Sequence, residues 1–407
     1  MSADAPIDWR LALPHLVGPG VTLREPRLGD AARLMAMLAT DEVGRFMSRP
    51  PEQLEAFATF IEWTRVQRRL GRNFCYGIVP DGEAHPVGLI QVRQLEPGFA
   101  SAEWGFAVGQ PYWGNGLFAR AAHMAIDFIF RHTAAHRLEA RSAIQNGRAN
   151  GALKKVGASP EGVLRQAFVV DGEPIHQVLW SLHIDQWSPA DSPVPYRTVP
   201  VEPDASQSLE AASVGNAGAR PEWCQGIAEC GYDGFSLREL VATDAEPLVR
   251  LLASPEVGRF ILPPPSDVGG FLRFLDWANV ERQQGRYACL GVVPAGFDHA
   301  VGIFQLHRVD PPFRIGEWGF VLGRPYWGTG LFTKSAAAFL DLAFDVVGAR
   351  RLEARSAQAN LRASGALVKL GAVREGAMKR SFLLGGAYHD DYLWAILADD
   401  WEERRAA

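Results

Sequence analysis

No run of Lys and Arg long enough to grip a polyanion occurs in this sequence, whose 41 basic and 46 acidic side chains leave a net charge of −5. A nucleic-acid-binding module needs a local basic footprint, so nucleic acid is not expected as a partner. No apolar stretch approaches the roughly 18–20 residues that a membrane span requires. The opening MSADAPIDWRLALPHL has no basic segment followed by an apolar run, as a secretory leader would have. The expectation is a soluble, cytoplasmic protein with no membrane partner. Four cysteines in 407 residues are too few for a disulfide framework. Cys75 and Cys289 sit in apolar, strand-like segments, where a buried free thiol is expected. Cys224 and Cys230 lie in a polar stretch without CxxC or Cys/His spacing, so no metal is expected.

What the chain does have is itself, twice. EWGFAVGQPYWGNGLF (103–118) recurs as EWGFVLGRPYWGTGLF (317–332), an offset of 214. The same offset pairs Trp9 with Trp223, Gly20 with Gly234, Arg24 with Arg238 and Trp63 with Trp277. It continues through Cys75 and Cys289, Arg141 and Arg355, Asn146 and Asn360, Gly157 and Gly371, and Trp187 and Trp401. A constant offset over so long a unit means a tandem duplication of a whole domain and not a solenoid. The expected domains are 1–187 and 221–407. Between them, 188–220 is rich in Pro, Ser and Ala without helical or strand periodicity, and reads as a partly extended linker.

Within each copy the patterning predicts a mixed α/β (α+β) domain. A strand (21–27, 235–241) leads to an Asp, Asp30 or Asp244, placed to cap the first turn of a helix. A second amphipathic helix covers about 52–69, with Phe57, Phe60, Ile61 and Trp63 for the core. Two apolar strands follow, then SAEWGFAVG, a Trp-Gly-x-Gly turn, the helix LFARAAHMAIDFIFRH, the strand HRLEARSA, the helix GRANGALKKVG and two last strands.

The turn Trp113-Gly114-Asn115-Gly116-Leu117-Phe118 joins a strand to a helix, as does Trp327-Gly328-Thr329-Gly330-Leu331-Phe332. Its glycines allow positive φ and close ligand approach, while the helix start offers free amides to an anion. A tight turn needs glycines whether or not it binds anything, so the turn alone leaves both readings open. No Gly-Lys-Ser/Thr follows it and a third glycine is missing, which excludes a Walker loop and a dinucleotide fingerprint.

In its context the turn resembles the acetyl-CoA-binding motif of the Gcn5-related N-acetyltransferase (GNAT) superfamily. The branch it looks most like is the RimJ/RimL-type ribosomal-protein N-acetyltransferases. The resemblance covers nearly all of both copies: LREPRLGD, the EWGF strand, PYWGNGLF, HRLEARSA, the Asn-x(10)-Gly helix, EGVLR and the closing Trp residues. It implies two GNAT-like domains, each a mostly antiparallel sheet flanked by helices, with acetyl-CoA as cofactor. It places the pyrophosphate on the amides of 114–118 and 328–332. It places the pantetheine arm near Phe106 and Val108, or Phe320 and Leu322, with Asn146 or Asn360 opposite. The first and last motif positions depart from the superfamily's commonest residues, being Trp113 and Trp327, and Phe118 and Phe332.

Acetyl transfer to an amine needs the amine neutral, a donor for the thioester oxygen and an acid for the thiolate. The family commonly supplies a Glu on the strand before the turn; Glu103 and Glu317 match it. The alternative is a Glu that faces water or pairs with Arg141. A Tyr that many relatives use as the acid is Leu153 and Leu367 here, leaving Asn150 and Ser364 as polar stand-ins. His176, and His389 with Asp390 and Asp391, are candidates for the acceptor side, which also draws on Phe46, Arg49, Trp63 and Arg65. Thr333 replaces Ala119 just after the turn, a hydroxyl that in relatives adds a phosphate contact. The expectation is therefore a better enzyme in the second copy.

The function expected is transfer of acetyl to a primary amine, whether a protein N-terminus, an amino acid or a small amine. The alternative is a non-catalytic acyl-CoA-binding scaffold. Because many single-domain relatives are dimers, the two copies are expected to form an intramolecular pseudo-dimer.

Overall fold

The computed structural model describes residues 7–48, 50–187, 194–202, 221–310 and 313–406. Arg49 and much of the expected linker lie outside these residues. The chain divides into two compact units at residue 216.

In the first unit, β1 (His15–Gly18) and β2 (Val21–Arg24) precede α1 (Ala31–Leu38), α2 (Asp41–Gly44) and α3 (Leu54–Arg69). Then come β3 (Asn73–Pro80), β4 (Gly88–Gln94), β5 (Ser101–Val108), α4 (Leu117–His132), β6 (Arg137–Ala143) and α5 (Gly147–Lys155). The unit ends with β7 (Ser159–Val170), β8 (Glu173–His183) and β9 (Arg197–Val199). The strands lie in the order β9-β1-β2-β3-β4-β5-β6-β8-β7, and the pairing is antiparallel except between β5 and β6.

The second unit repeats this plan with β10 (Cys230–Tyr232), β11 (Phe235–Glu239), α6 (Ala245–Leu252), α7 (Pro255–Gly258), α8 (Val268–Gln283), β12 (Tyr287–Pro294) and β13 (Gly302–Arg308). It continues with β14 (Ile315–Leu322), α9 (Leu331–Asp341), β15 (Arg351–Ala357), α10 (Leu361–Lys369), β16 (Val373–Leu384), β17 (Ala387–Leu397) and α11 (Ala398–Ala406). The mixed, mostly antiparallel sheet flanked by helices is the fold class that the patterning predicts.

Helices cover both faces of each sheet, which is why NFCYGIVP reads as a continuous apolar run instead of an alternating one. Phe74, Tyr76 and Ile78 pack with Trp104 and the α4 residues Ala125 and Phe128. Cys75 points to the opposite face, against α1 and α3 through Leu34, Leu38, Phe57 and Ile61. The two faces of the second sheet divide likewise, Leu290 and Phe304 toward α9, and Tyr287 and Cys289 toward α6 and α8.

Asp30 stands at the residue before α1, yet its carboxylate makes no cap bond to that helix. It instead takes Arg24 Nη1 at 2.7 Å and Nη2 at 2.9 Å, and the Arg27 amide at 2.8 Å. Asp244 does the same with Arg238 and the Val241 amide. A guanidinium on the adjacent strand competes better for a buried carboxylate than neutral helix amides do, so the expected cap becomes an ion pair. Residues 194–199, within the stretch read as linker, return to the first sheet. Arg197–Val199 pair with His15–Val17, and the Tyr196 hydroxyl donates to Asp127 Oδ2 at 2.8 Å.

Candidate functional site

β5 is paired along its whole length to β4, but to β6 only at Ser101, Ala102 and Glu103. Beyond Glu103 the two strands part, while β6 keeps its pairing to β8 through Ala143. β14 and β15 part in the same way after Glu317. Each sheet is thus split into a V, and the edge of the strand before the turn is free to pair with an extended ligand that carries amides.

A buried ion cluster locks the vertex. Arg137 Nε donates to Glu139 at 2.9 Å and its Nη2 to Glu161 at 2.5 Å, with the Arg137 side chain wholly inaccessible. Arg351 holds Glu353 at 3.0 Å and Glu375 at 2.7 Å in the second unit.

At the open end of the V lies the glycine turn. Gly114 and Gly116 have φ of 82° and 77°, and Gly328 and Gly330 have 77° and 84°. A Cβ at 114, 328 or 330 would meet nothing within 4 Å. Backbone conformation, and not crowding, therefore requires glycine there, and the space over the turn is open for a ligand. The Leu117 amide is taken by Asn115 Oδ1 at 3.0 Å and the Leu331 amide by Thr329 Oγ1 at 3.3 Å. No side chain caps α4 or α9 from the preceding glycine, so the remaining first-turn amides and the helix dipole favour an anion.

The Trp113 indole donates to the Val108 carbonyl at 2.6 Å, and Trp327 to Leu322 at 2.7 Å, tying the turn to the strand end. The ring of Phe118 lies 4.0 Å from Phe106, and Phe332 lies 4.4 Å from Phe320. The bulky residue at the last motif position thus fills space beside the strand and does not crowd the cradle.

Glu103 and Glu317 sit at the last paired residue before the strands part. Arg93, directly opposite on β4, donates to Glu103 Oε2 at 2.6 Å. In the second unit the residue opposite is His307, and Glu317 lies 3.5 Å from Arg355 Nε. The residue directly opposite the carboxylate thus differs between the two units.

Asn146 and Asn360 each cap the following helix through the side-chain oxygen, at 3.1 Å to Ala149 and to Ala363. The Asn150 side chain is committed to packing: it donates to Ala143 and Asn146 carbonyls and accepts from Trp180 Nε1 at 2.9 Å. In the second unit Trp394 turns to Ser356, which lies 3.3 Å from Ser364. His176 and Asp390 accept the backbone amides of Gln166 and Arg380, both at 2.9 Å. Those two residues have φ of 50° and 48° within a bulge of the last hairpin, so both side chains hold that bulge. Between α2 and the last hairpin of the first unit, where the sequence placed the acceptor side, a cavity of about 470 Å³ is lined by Thr40, Asp41, Glu42, Arg45, Glu52 and Asp171.

Sequence reasoning missed the cation over each turn. The Arg148 guanidinium lies 3.8 Å from the Trp113 ring centroid, and Arg362 lies 4.0 Å from Trp327. The two arginines obey the 214-residue offset, which was the signal available. Arg120 was also missed; its Nη1 lies 3.4 Å from the Asn115 carbonyl.

An open-edged strand, a parting pair and an anion-ready turn define a site for an extended, amide-bearing ligand with an anionic end. A family model described as the acetyltransferase (GNAT) domain matches residues 21–159 and again 235–373, and the chain belongs to that family. It is an N-acetyltransferase with acetyl-CoA as its acetyl donor. Among its relatives, the uncharacterized N-acetyltransferase p20 of Bacillus licheniformis is 23% identical over 41% of this chain and 94% of its own length. The [ribosomal protein uS5]-alanine N-acetyltransferase of Escherichia coli (strain K12) is 28% identical over 29% of this chain and 62% of its own. Among solved structures, Mycobacterium smegmatis RimJ in complex with CoA-disulfide is 26% identical, with a TM-score of 0.39, covering 42% of this chain and 87% of that one.

The residues present fit the donor. The open turn suits its pyrophosphate, and the free strand edge suits its amide-bearing arm. Among the described residues no helix is long and apolar enough to cross a membrane, and no cluster of side chains suits a metal ion.

Proposed function

We propose that each unit holds acetyl-CoA across the split sheet, and that the second unit carries most of the transfer of acetyl to a primary amine. The observation that carries this reading is the coincidence, in both units, of a carboxylate at the parting point with an open glycine turn at the end of the same strand. Acetyl-CoA supplies the acetyl group as a thioester. The amides of 114–118 or 328–332 that are not already taken within the turn, those of Leu117 and Leu331 being so, hold its pyrophosphate, assisted by Arg120 or Lys334 beside the turn. The strand edge at Phe106 and Val108, or Phe320 and Leu322, aligns its arm, with Asn146 or Asn360 across the V.

Glu317 removes the acceptor's ammonium proton so that the nitrogen lone pair can attack. In the first unit Glu103 occupies the same place but is held by Arg93 at 2.6 Å, against 3.5 Å between Glu317 and Arg355, and the tighter pairing supports a weaker role. Because a relative is named for ribosomal-protein alanine, a peptide that begins with alanine is the first acceptor to try.

The test is thiol release from acetyl-CoA over a panel of alanine-initiated peptides, free amino acids and spermidine. Glu317→Gln should lower kcat by about 10²- to 10⁴-fold, with acetyl-CoA affinity unchanged. Wild-type binding without turnover on any amine, or full turnover in the variant, contradicts the reading.

A further inference from the structure

The two units differ most tellingly in the row of residues that runs across the sheet into the strand carboxylate. In the first unit the directly opposed residues are Asn73, Arg93 and Glu103. In the second they are Tyr287, His307 and Glu317. Directly opposed residues of antiparallel strands share a face, with Cβ atoms about 4.5–5.5 Å apart. A fixed cation beside the carboxylate has thus been exchanged for a group that can carry a proton.

From this row we propose that His307 is a positioning residue for acetyl transfer in the second unit, receiving from Glu317 the proton taken from the acceptor and passing it to water. The proposal rests on Glu317 being the group that deprotonates the acceptor. Transfer forms the amide C–N bond and breaks the thioester C–S bond. An ammonium acceptor gives up two protons in all; one stays with the departing thiol and one must leave the site. A carboxylate that keeps that proton is spent after one turnover; the Glu317 side chain is part-exposed, and His307 opposite it adds a second group through which the proton can leave.

The surroundings of His307 suit such a path. Its ring lies 4.5 Å from the Tyr287 ring, which fixes its plane, while its outer edge is exposed to water. Tyr287 is in turn 4.8 Å from Trp277 of α8, so the floor under the imidazole is aromatic. The charged groups that face this corner are few. Glu317 lies opposite on β14, itself held by Arg355 of β15. Glu353 lies beyond Glu317 on β15 in its ion pair with Arg351, and Glu281 of α8 is paired with Arg286 at 2.6 Å. Partial desolvation against this aromatic floor disfavours the imidazolium and lowers the ring's pKa below the ordinary value, against the opposing pull of Glu317 and Glu281. At neutral pH the ring is therefore neutral and able to accept a proton. Arg93 can neither accept nor release one at any working pH, which leaves Glu103 without this route.

Two measurements on the full chain test the proposal, both with the first turn silenced by Gly114→Val and Gly116→Val. The first follows the His307 ring by NMR through a pH titration, assigned by its loss in His307→Gln. Removing the carboxylate charge with Glu317→Gln should lower the ring's midpoint by about 0.5 pH unit, the effect of one charge roughly 5 Å away in a water-like medium. A midpoint that does not move overturns the proposal whatever the acceptor.

The second measurement is kcat/KM against pH, with an alanine-initiated peptide as acceptor and thiol release as readout. The wild-type acid limb, lost as pH falls through the His307 midpoint, should be displaced to lower pH in His307→Gln, where only the base Glu317 remains to be protonated. His307→Arg, which copies the first unit, should lower kcat about tenfold with acetyl-CoA affinity unchanged. If both variants keep the wild-type limb and rate while Glu317→Gln abolishes turnover, the relay is wrong and the base stands. If Glu317→Gln keeps full turnover, the base itself is wrong.

Discussion

Gly330→Ala perturbs the cofactor turn with little else in its way. The residue has φ of 84° and ψ of −12°, and an added Cβ would meet no atom within 4 Å. No neighbour has to move, so the penalty is confined to the backbone: about 1–2 kcal/mol for an L-residue held in the left-handed region. The empty turn can relax away from that conformation, whereas the bound turn must restore it to aim its amides. The strain is therefore charged mainly to binding, and at 1.4 kcal/mol per tenfold the acetyl-CoA Kd should rise about 5- to 30-fold. Stability should fall by no more than the same strain, at most about 8 °C in Tm at roughly 2–4 °C per kcal/mol. Isothermal titration of the full chain with acetyl-CoA reads this directly, the first turn being silenced by Gly114→Val and Gly116→Val so that one class of site remains. A Kd within twofold of the parent's, together with a clear fall in Tm, would refute the reasoning: the glycine would be needed for folding and not for the ligand.

Glu139→Leu combined with Glu161→Leu strands Arg137 in a site with no water, and leaving a buried charge without its partners in this way costs about 3–5 kcal/mol. Calorimetry should show the first unit melting roughly 6 to 20 °C lower, and an unchanged transition contradicts the role given to the cluster. Acid sensitivity should trace to Asp30 and Asp244. Burial alone pushes each carboxyl up, but Arg24 or Arg238 and backbone amides pull harder, leaving both below the ordinary Asp value. A depressed folded pKa contributes stability that is fully present above the unfolded value near 4 and is lost as pH falls through the folded one. Denaturant midpoints should therefore drop below about pH 4, and Asp30→Asn should flatten that drop in the first unit while lowering stability at pH 7.

Much of this architecture was legible because the duplication repeats the turn, the strand Glu and the helix Asn at one constant offset. The long helix of 117–132 and the strand of 73–80 are bounded in the structure where their apolar patterns begin and end. The Asp30 cap was misread because local sequence shows the helix but not the guanidinium that β2 brings alongside. The short strand β9 has no periodicity of its own and exists only because β1 leaves an edge to pair with. At the site, the turn and the strand Glu are local motifs and were visible. The residues that decide how that Glu behaves come from the neighbouring strand, ten positions away in sequence, and are set by register. Asn150 and Ser364 looked like spare polar groups because the Trp that each unit must satisfy lies 30 residues further on.

The claim at the centre of this account is that the two copies share a cofactor fold but divide the chemistry unequally. It is tested most directly by thiol release from acetyl-CoA, with an alanine-initiated peptide, in two variants of the full chain. With Gly114→Val and Gly116→Val the chain should keep most of its turnover; with Gly328→Val and Gly330→Val it should lose most of it. Equal losses from the two pairs, or a larger loss from the first, would contradict the account.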